Sequence, residues 1–287
     1  MLLEAERVIV KVLVENTAKL GKKNIFGAHG LSIYVKIEDK NGLESKILFD
    51  TGPLGEVLIN NCKVMNVNLK EIDLIILSHG HYDHTGGLID ALKIILRKIP
   101  IICHPYCFNL KFVSEPKFRY NGIPFRKSEI EELGNLILIK DPIKISESTI
   151  TSGEIPRRTD FEKVSGMKTI INGKLVDDQM LDDLALIINF KDGVIVITGC
   201  AHAGIINTIL RAKELTSKEH VKAVIGGFHL ASADERRLKE TIDSFKRMNI
   251  EKIMPCHCTG EKAINEMYIQ LGNKVQRIYA GDIIEFN

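Results

Sequence analysis

Apolar residues occur along this chain in two kinds of pattern, and each pattern predicts one kind of element. Short runs rich in Ile, Leu and Val recur throughout the sequence, as expected for buried strands. Longer segments place apolar residues three or four positions apart, like Leu238, Ile242 and Phe245, and predict amphipathic helices. The predicted helices are 88–96, 205–215, 234–248 and 261–271, and the predicted strands are 8–14, 31–37, 47–49, 74–77, 99–103, 136–139, 149–152, 184–190, 194–198, 223–225, 252–254 and 283–286.

Three imidazoles and one carboxylate follow the predicted strand 74–77 within a few residues. Residues i and i+2 of an extended segment point to the same side, so His79 and His81 can reach one metal ion together. Asp83 and His84 follow where the chain turns, and they can aim at a second ion. The alternative is a helix cap for Asp83 beside ordinary polar histidines. Because burying four such groups without partners is costly, the pattern favours a metal site.

Charge and composition exclude several function classes. A formal net charge of +2 and the lack of a basic stripe give no case for binding nucleic acid or an anionic membrane. No apolar run has the length of a membrane span, and the N-terminus lacks a signal-peptide pattern. Six cysteines are too few for a disulfide scaffold in 287 residues. We therefore expect a cytoplasmic protein with reduced thiols, of undetermined oligomeric state.

The sequence also predicts the domain organisation. It contains no linker, repeat or low-complexity run, so residues 1–287 are expected to form a single domain. Segment 105–135 is the least regular part and is rich in Phe, Lys, Arg and Pro. We expect this segment to be an insertion that covers the site as a lid.

The HxHxDH segment 79–84 resembles the signature of the metallo-β-lactamase superfamily, and Asp50-Thr51-Gly52 resembles the turn that precedes it there. Four later segments resemble one family in it, the 7,8-dihydropterin-6-methyl-4-(β-D-ribofuranosyl)aminobenzene-5'-phosphate synthases. The resemblance implies an α/β fold, the αββα sandwich, in which two mixed β-sheets pack face to face between helices. The four segments are SGEIPR at 152–157, TGCAHAG at 198–204, GGFHL at 226–230 and PCHCTG at 255–260.

The resemblance assigns metal-ligand roles to His79, His81, Asp83 and His84 and places Asp50 behind them. Beyond these residues the sequence departs from the superfamily pattern. The last ligand is expected at His257. Cys200 stands where many members have a bridging Asp, and its thiolate can bind zinc. His202 is an equally good candidate, so the choice between the two stays open.

Four further residues are candidates for catalysis or substrate binding. Glu154 could bind metal or the amine groups of a substrate. His229 follows a Gly-Gly turn and is expected to be a ligand, the partner of a ligand or an acid–base group. Arg157 and Arg158 could grip a phosphate, because a guanidinium binds phosphate through two hydrogen bonds. For Arg158 a solvated loop charge is an equal alternative.

Other polar residues and thiols are expected to play no direct part. Cys256 and Cys258 alternate with His257, so they should point away from the site as small buried hydrophobic residues. Asp182 and Asp183 are interpreted as turn residues. His29 and His220 are expected to be ordinary polar histidines.

Three functions are consistent with the sequence. The family resemblance implies a transferase that joins the arylamine of 4-(β-D-ribofuranosyl)aminobenzene 5'-phosphate to a 7,8-dihydropterin-6-ylmethyl diphosphate. This reaction releases diphosphate and is a step toward tetrahydromethanopterin. The commoner superfamily chemistry is metal-dependent hydrolysis of an ester, phosphodiester or lactone. A non-catalytic metal-binding module is the third function, and the complete HxHxDH set argues against it.

The ligand types limit the metal. Imidazole and thiolate favour zinc, iron or manganese, and one or two divalent ions are expected. Magnesium prefers oxygen ligands and keeps its waters, so it fits better as a companion of the diphosphate substrate.

Overall fold

Strands and helices alternate along the chain in the computed structural model, which describes residues 2–114 and 116–287. None of the helices in these residues has the length and apolar character of a membrane span. The helices are α1 Gly55–Val64, α2 Tyr82–Thr85, α3 Leu88–Ile95, α4 Lys127–Leu133, α5 Ile205–Thr216, α6 Glu235–Arg247 and α7 Glu261–Leu271. The strands are β1 Ala5–Val14, β2 Ser32–Asp39, β3 Glu44–Phe49, β4 Leu74–Ile76, β5 Pro100–Cys103, β6 Lys111–Val113, β7 Arg119–Tyr120, β8 Asn135–Leu138, β9 Thr149–Thr151, β10 Met167–Ile171, β11 Lys174–Asp177, β12 Ala185–Phe190, β13 Gly193–Thr198, β14 Val221–Gly227, β15 Ile250–Cys256 and β16 Ile283–Phe286.

Twelve strands form one hydrogen-bonded ladder in the order β15-β14-β13-β12-β1-β2-β3-β4-β5-β8, with β16 beside β1 and β9 beside β12. The two halves of the ladder meet at β1, which contacts β12 through a single parallel pair, Ala5 with Phe190. Towards both ends of the ladder neighbouring strands are parallel: β3, β4, β5 and β8 on one side, β13, β14 and β15 on the other. The carboxyl ends of the parallel strands within each half therefore lie at one edge.

The hydrophobic cores show how the layers are stacked. One core contains Ile76 and Ile102 from one half of the ladder together with Ile195 and Ile225 from the other, so the two halves face each other. A second core lies between the sheet and α1 and α3, and a third lies beneath α5, α6 and α7. Burial of one such aliphatic side chain contributes about 1.5–3 kcal/mol. This is the predicted αββα sandwich, and the fold class is confirmed.

All the strands and helices predicted from the apolar pattern are present, with small differences at their ends. Helix α1 was not predicted, because it begins without a capping side chain and carries two adjacent Asn residues, which are poor helix formers. Its Asn61 is buried instead and donates to the carbonyl of Leu13 at 2.7 Å. Helix α1 is therefore stabilised by tertiary contacts and not by the helix propensity of its residues.

Segment 105–135 contains β6, β7 and α4, and its two strands belong to a separate four-stranded sheet with the β10–β11 hairpin. These strands were missed because they are short, and because β7, β10 and β11 consist mostly of exposed or only partly buried residues. The segment contacts the His-rich loop: the Tyr82 N–H donates to the carbonyl of Asn121 at 3.0 Å, and His81 forms a β-bridge with Gly122. It is thus anchored beside the predicted ligands.

Candidate metal centre

Candidate ligands from both halves of the sandwich meet at one edge, because most of them directly follow carboxyl ends of parallel strands. His79 and His81 come after β4, and His81 is the N-cap residue of the short helix α2. Cys200 follows β13, and His257 follows β15. All four side chains are buried.

The first group of ligand atoms is formed by His79, Cys200 and His202, whose atoms lie within 4.8 Å of one another. His81 belongs beside them, since its Nδ1 is 2.9 Å from Nε2 of His79. Both ring nitrogens of His202 are buried and have no hydrogen-bond partner among the described residues. Buried polar atoms normally have partners, so a metal ion fits this group.

The second group is formed by His84, Cys200 and His257. Nε2 of His84 lies 3.2 Å from Nε2 of His257 and 3.1 Å from the Cys200 Sγ. A carboxylate oxygen of Asp83 is 3.4 Å from the same His257 nitrogen. Cys200 is shared with the first group, so the donor set fits two neighbouring ions with a thiolate between them.

A third group contains Cys200, His229 and Cys258, again within 4.8 Å. The prediction that Cys258 points away is wrong, because strand alternation ends at Cys256 and His257 adopts a φ of 51°. The Sγ of Cys258 instead accepts the N–H of His229 at 3.3 Å. Cys256 does lie in the core between the two sheet halves.

Asp50 holds the base of the cluster. One of its carboxylate oxygens lies 2.7 Å from Nδ1 of His84 and accepts the Ser78 hydroxyl at 2.7 Å, while the other accepts the Ser78 N–H. That hydroxyl is 2.9 Å from Nδ1 of His79. Hydrogen bonds of this kind fix the tautomer and orientation of ligating imidazoles.

Four supporting residues were not recognised from the sequence. Asp182 accepts the N–H of Gly80 at 2.8 Å, and Asp183 accepts that of Ala203 at 2.7 Å, so both hold the loops that carry the ligands. They are therefore more than turn residues. Two adjacent acids before a fully buried strand were the available signal.

The other two, Glu15 and Asn16, hold His257. Glu15 accepts its N–H at 2.8 Å, and the amide oxygen of Asn16 lies 2.8 Å from its Nδ1. Glu15 is buried directly after β1, where an acid stands out against the apolar strand. His29, expected to be ordinary, lies at the mouth of the site, 3.6 Å from Asp83.

Burial sets the protonation of the imidazoles. It lowers the pKa of His79, His81 and His202 well below the ordinary value, and neighbouring cationic groups add to the effect. These three rings are therefore neutral, which is the form that binds metal. Burial acts in the same direction on His84, but Asp50 and Asp83 outweigh it and raise its pKa to about 9.

The two thiols differ as well. Burial raises the pKa of Cys200 well above the usual range. Burial acts in the same direction on Cys258, but its contacts with Cys200 and His229 outweigh it and lower the pKa of Cys258. The thiolate form is the one that binds metal, so Cys258 is the thiol already disposed to lose its proton.

The remaining candidates occupy different positions. The ring of His229 lies 4.2 Å from that of His202, and its Nδ1 is buried without a partner among the described residues. Glu154 is partly exposed, lies outside the three groups and contacts Nε2 of His104 at 2.9 Å. Arg158 forms an exposed ion pair with Glu214.

The guanidinium of Arg157, for which a phosphate grip is predicted, is bound to backbone carbonyls. It donates to the backbone carbonyls of His202 at 2.8 Å and Gln179 at 2.7 Å, with a longer bond to that of Met180. Its donors are thus used to hold the loop that carries His202.

Comparison with known proteins identifies the family. A family model described as a β-lactamase superfamily domain matches residues 45–134. A 7,8-dihydropterin-6-methyl-4-(β-D-ribofuranosyl)-aminobenzene-5'-phosphate synthase of Methanocaldococcus jannaschii is 40% identical over 265 residues, which are 90% of each chain. An uncharacterized protein of the same organism is 37% identical and covers 93% of this chain and 96% of its own.

Similarity to a solved structure supports the same superfamily. A metal-dependent hydrolase of the β-lactamase superfamily has a TM-score of 0.81 and 27% identity, with 96% of this chain and 98% of the other covered. The similarity to the synthase and to this structure extends over nearly the whole chain. The protein therefore belongs to the β-lactamase superfamily and, within it, to the family that contains the 7,8-dihydropterin-6-methyl-4-(β-D-ribofuranosyl)-aminobenzene-5'-phosphate synthase.

Proposed function

We propose that this protein is a metal-dependent transferase. It joins the arylamine nitrogen of 4-(β-D-ribofuranosyl)aminobenzene 5'-phosphate to the methylene carbon of a 7,8-dihydropterin-6-ylmethyl diphosphate and releases diphosphate. The observation that carries the proposal is the 40% identity to the named synthase over 90% of both chains. The cluster of buried imidazoles and thiols supports it, because the leaving group is an anion that metal ions stabilise.

The chain supplies two neighbouring sets of ligands for this chemistry. We assign His79, His81 and His202 to one position, Asp83, His84 and His257 to the other, and Cys200 to both. Cys258 is assigned as a further sulfur donor beside Cys200. Zinc, iron or manganese suits these donors, and magnesium suits the diphosphate oxygens. When bound, the ions supply Lewis-acid stabilisation of the charge that develops on the departing diphosphate.

The bond changes require a proton acceptor. A carbon–nitrogen bond forms while the carbon–oxygen bond to diphosphate breaks, and the arylamine nitrogen loses one proton. We assign this proton to His229, whose Nδ1 is buried and unpartnered among the described residues beside the cluster. Glu154 is assigned to the amine groups of a substrate, since it is partly exposed and contacts His104.

The transferase must also keep water from the diphosphate substrate. We infer that residues 1–287 act as one catalytic domain in which segment 105–135 covers the substrates. Phe118 and Tyr120 of this segment are exposed, and Phe118 stacks on Phe112 at 5.0 Å between ring centroids. Such a face suits a flat pterin ring. We place the reaction in the cytoplasm, where the six unpaired thiols would stay reduced.

The function is tested with the metal-loaded protein and both substrates, by measuring diphosphate release and coupled product with and without the arylamine. Release that requires the arylamine is the expected result. His81→Ala and Asp83→Ala should abolish it, a loss of at least ~1,000-fold, because each removes a ligand of the ions that stabilise the leaving group. His220→Ala is the matched control, since His220 stands at the opposite end of β14 and faces Glu251. Full turnover by the two ligand variants would contradict the assignment.

Hydrolysis is the second candidate function, because the similar solved structure with a TM-score of 0.81 carries the name of a metal-dependent hydrolase. The same ions would then activate water toward an ester, phosphodiester or lactone. The assay separates the two functions. Diphosphate release without the arylamine, or turnover of generic esters alone, favours hydrolysis over transfer.

A further inference from the structure

A cavity of about 430 Å³ lies outside the ligand cluster, between the loop 160–165 and the start of α6. This volume is within the range of small-molecule sites, roughly 300–1,000 Å³. Three cationic side chains and two hydroxyl side chains line it, which gives the cavity the donors that an anion needs. They are Lys163, Arg236, Arg237, Ser165 and Ser232.

Arg237 is the unusual member of this lining. Its side chain is buried, with a relative exposure of 8%, and its Nη1 donates to the carbonyl of Lys163 at 3.0 Å. Nε and Nη2 are buried as well and have no hydrogen-bond partner among the described residues. A buried guanidinium with unused donors is costly, and a bound anion would remove that cost.

The acids of the cavity do not supply this anion. Asp160 pairs with Arg236 at 2.6 Å at the exposed edge of the cavity. Asp234 caps α6 and accepts the backbone N–H of Arg237 at 2.7 Å. Both carboxylates are thus engaged elsewhere, and neither accepts a hydrogen bond from Nε or Nη2 of Arg237. The positive end of the α6 dipole lies at the same place and favours negative charge.

Two chain segments lead from the metal centre to the cavity. Ser232 stands three residues after His229, a separation of at most ~10 Å along the chain. Between them, the N–H of Ala231 donates to the carbonyl of Cys258 at 3.1 Å. On the other side the loop 160–165 follows Arg157, which holds the carbonyl of His202. A ligand bound here would lie beside the reacting groups without occupying them.

We propose that this cavity binds the 5'-phosphate of the arylamine substrate, with Arg237 as its principal donor and Lys163 as a second cation. The proposal rests on the transferase function. Of the two phosphorylated substrates, the pterin must bring its diphosphate to the metal ions, where the leaving group departs. The arylamine carries its phosphate at the far end of a benzene ring and a ribose. A cationic cavity offset from the ligand cluster therefore suits the arylamine phosphate.

The test is calorimetric titration of the metal-loaded protein with the arylamine ribose phosphate, the same compound without phosphate, and the dihydropterin diphosphate. Arg237→Gln should weaken binding of the phosphorylated arylamine by about 10- to 100-fold, the usual effect of losing charge-assisted hydrogen bonds. Binding of the other two probes should stay within ~2-fold, because they do not use this cavity. Lys163→Gln should weaken binding of the same probe by a smaller factor. Because the Lys163 side chain is exposed, this variant should fold normally.

Arg247→Gln is the matched control, since it removes the same charge from the last turn of α6, where Arg247 contacts Ser244. Equal losses for both arylamine probes, or no binding of the phosphorylated one to the unaltered protein, would overturn the proposal. A loss confined to the pterin diphosphate would overturn it as well, by assigning the cavity to the other substrate.

The two proposals can fail separately. If the phosphorylated arylamine binds through Arg237 but no coupled product forms, the transferase function is wrong and the phosphate site stands. If product forms and Arg237→Gln leaves the KM for the arylamine unchanged, the phosphate site is wrong and the transferase stands.

Discussion

Cys200 is the residue that connects the candidate ligand groups. Its Sγ belongs to all three of them, and it lies 3.1 Å from Nε2 of His84. A thiolate is a softer donor than the carboxylate that many superfamily members place there. We therefore expect a Cys200 thiolate to favour zinc and iron over magnesium at this site.

The contribution of each thiol can be measured with cobalt in place of the native ion. Cys200→Ser and Cys258→Ser should lower the sulfur-to-cobalt charge-transfer absorbance and weaken binding by at least ~10-fold, because both remove a donor from the cluster. Cys256→Ser is the control, since Cys256 lies in the core between the sheet halves. An unchanged spectrum for Cys258→Ser together with a changed one for Cys256→Ser would reverse the assignment.

A buried ion cluster connects strand β6 to the main body of the protein. Nζ of Lys111 lies 2.8 Å from carboxylate oxygens of both Asp178 and Asp182. Burial acts to lower the pKa of Lys111, but the two carboxylates outweigh it and raise it. Because Asp182 also holds Gly80, the cluster connects the small sheet to the loop of His79 and His81.

Lys111→Met should lower the free energy of unfolding by about 3–5 kcal/mol, because it leaves two buried carboxylates without their counter-ion. Equilibrium urea unfolding measures the change. Lys168→Met in the neighbouring strand β10 is the control, since its pair with Asp177 is exposed and should be worth less than ~1 kcal/mol. Equal effects of the two substitutions would show that the buried cluster contributes no more to the free energy of unfolding than the exposed pair.

At the scale of elements, the apolar pattern located the strands of the sandwich and four of its helices, because buried segments must be apolar whatever their partners. It could not locate the small sheet, whose short strands are defined by pairing between residues 111–120 and 167–177. The predicted orientation of the Cys258 side chain was wrong for a different reason. Alternation holds only while a strand continues, and the positive φ at His257 is not visible in the sequence.

At the scale of the whole molecule, the metal centre joins the two halves of the sandwich. His79 to His84 come from one half, and Cys200, His202 and His257 come from the other. The two halves also share a large core of their own. The ions should therefore add stability to a fold that exists without them.

Removal of the metal by a chelator should lower the Tm by roughly 5–10 °C, with the cooperative transition retained. This shift corresponds to a loss of about 2.7 kcal/mol in the free energy of unfolding, the stabilisation given by a ligand whose free concentration is about a hundred times its Kd. Scanning calorimetry before and after dialysis measures the shift, and added zinc should restore it. His81→Ala should show a much smaller response to the chelator. Unfolding of the metal-free protein at room temperature would contradict the expectation.

The spacing of the ligands along the chain sets an order of events during synthesis. The imidazoles of the His-rich loop leave the ribosome early, and His257 follows His84 only after 173 further residues. β15, which places His257, pairs with β14, a strand that precedes it in the chain. The ligand set of the growing chain is therefore incomplete until β15 has been made. We therefore expect the folded protein, and not the growing chain, to select the metal.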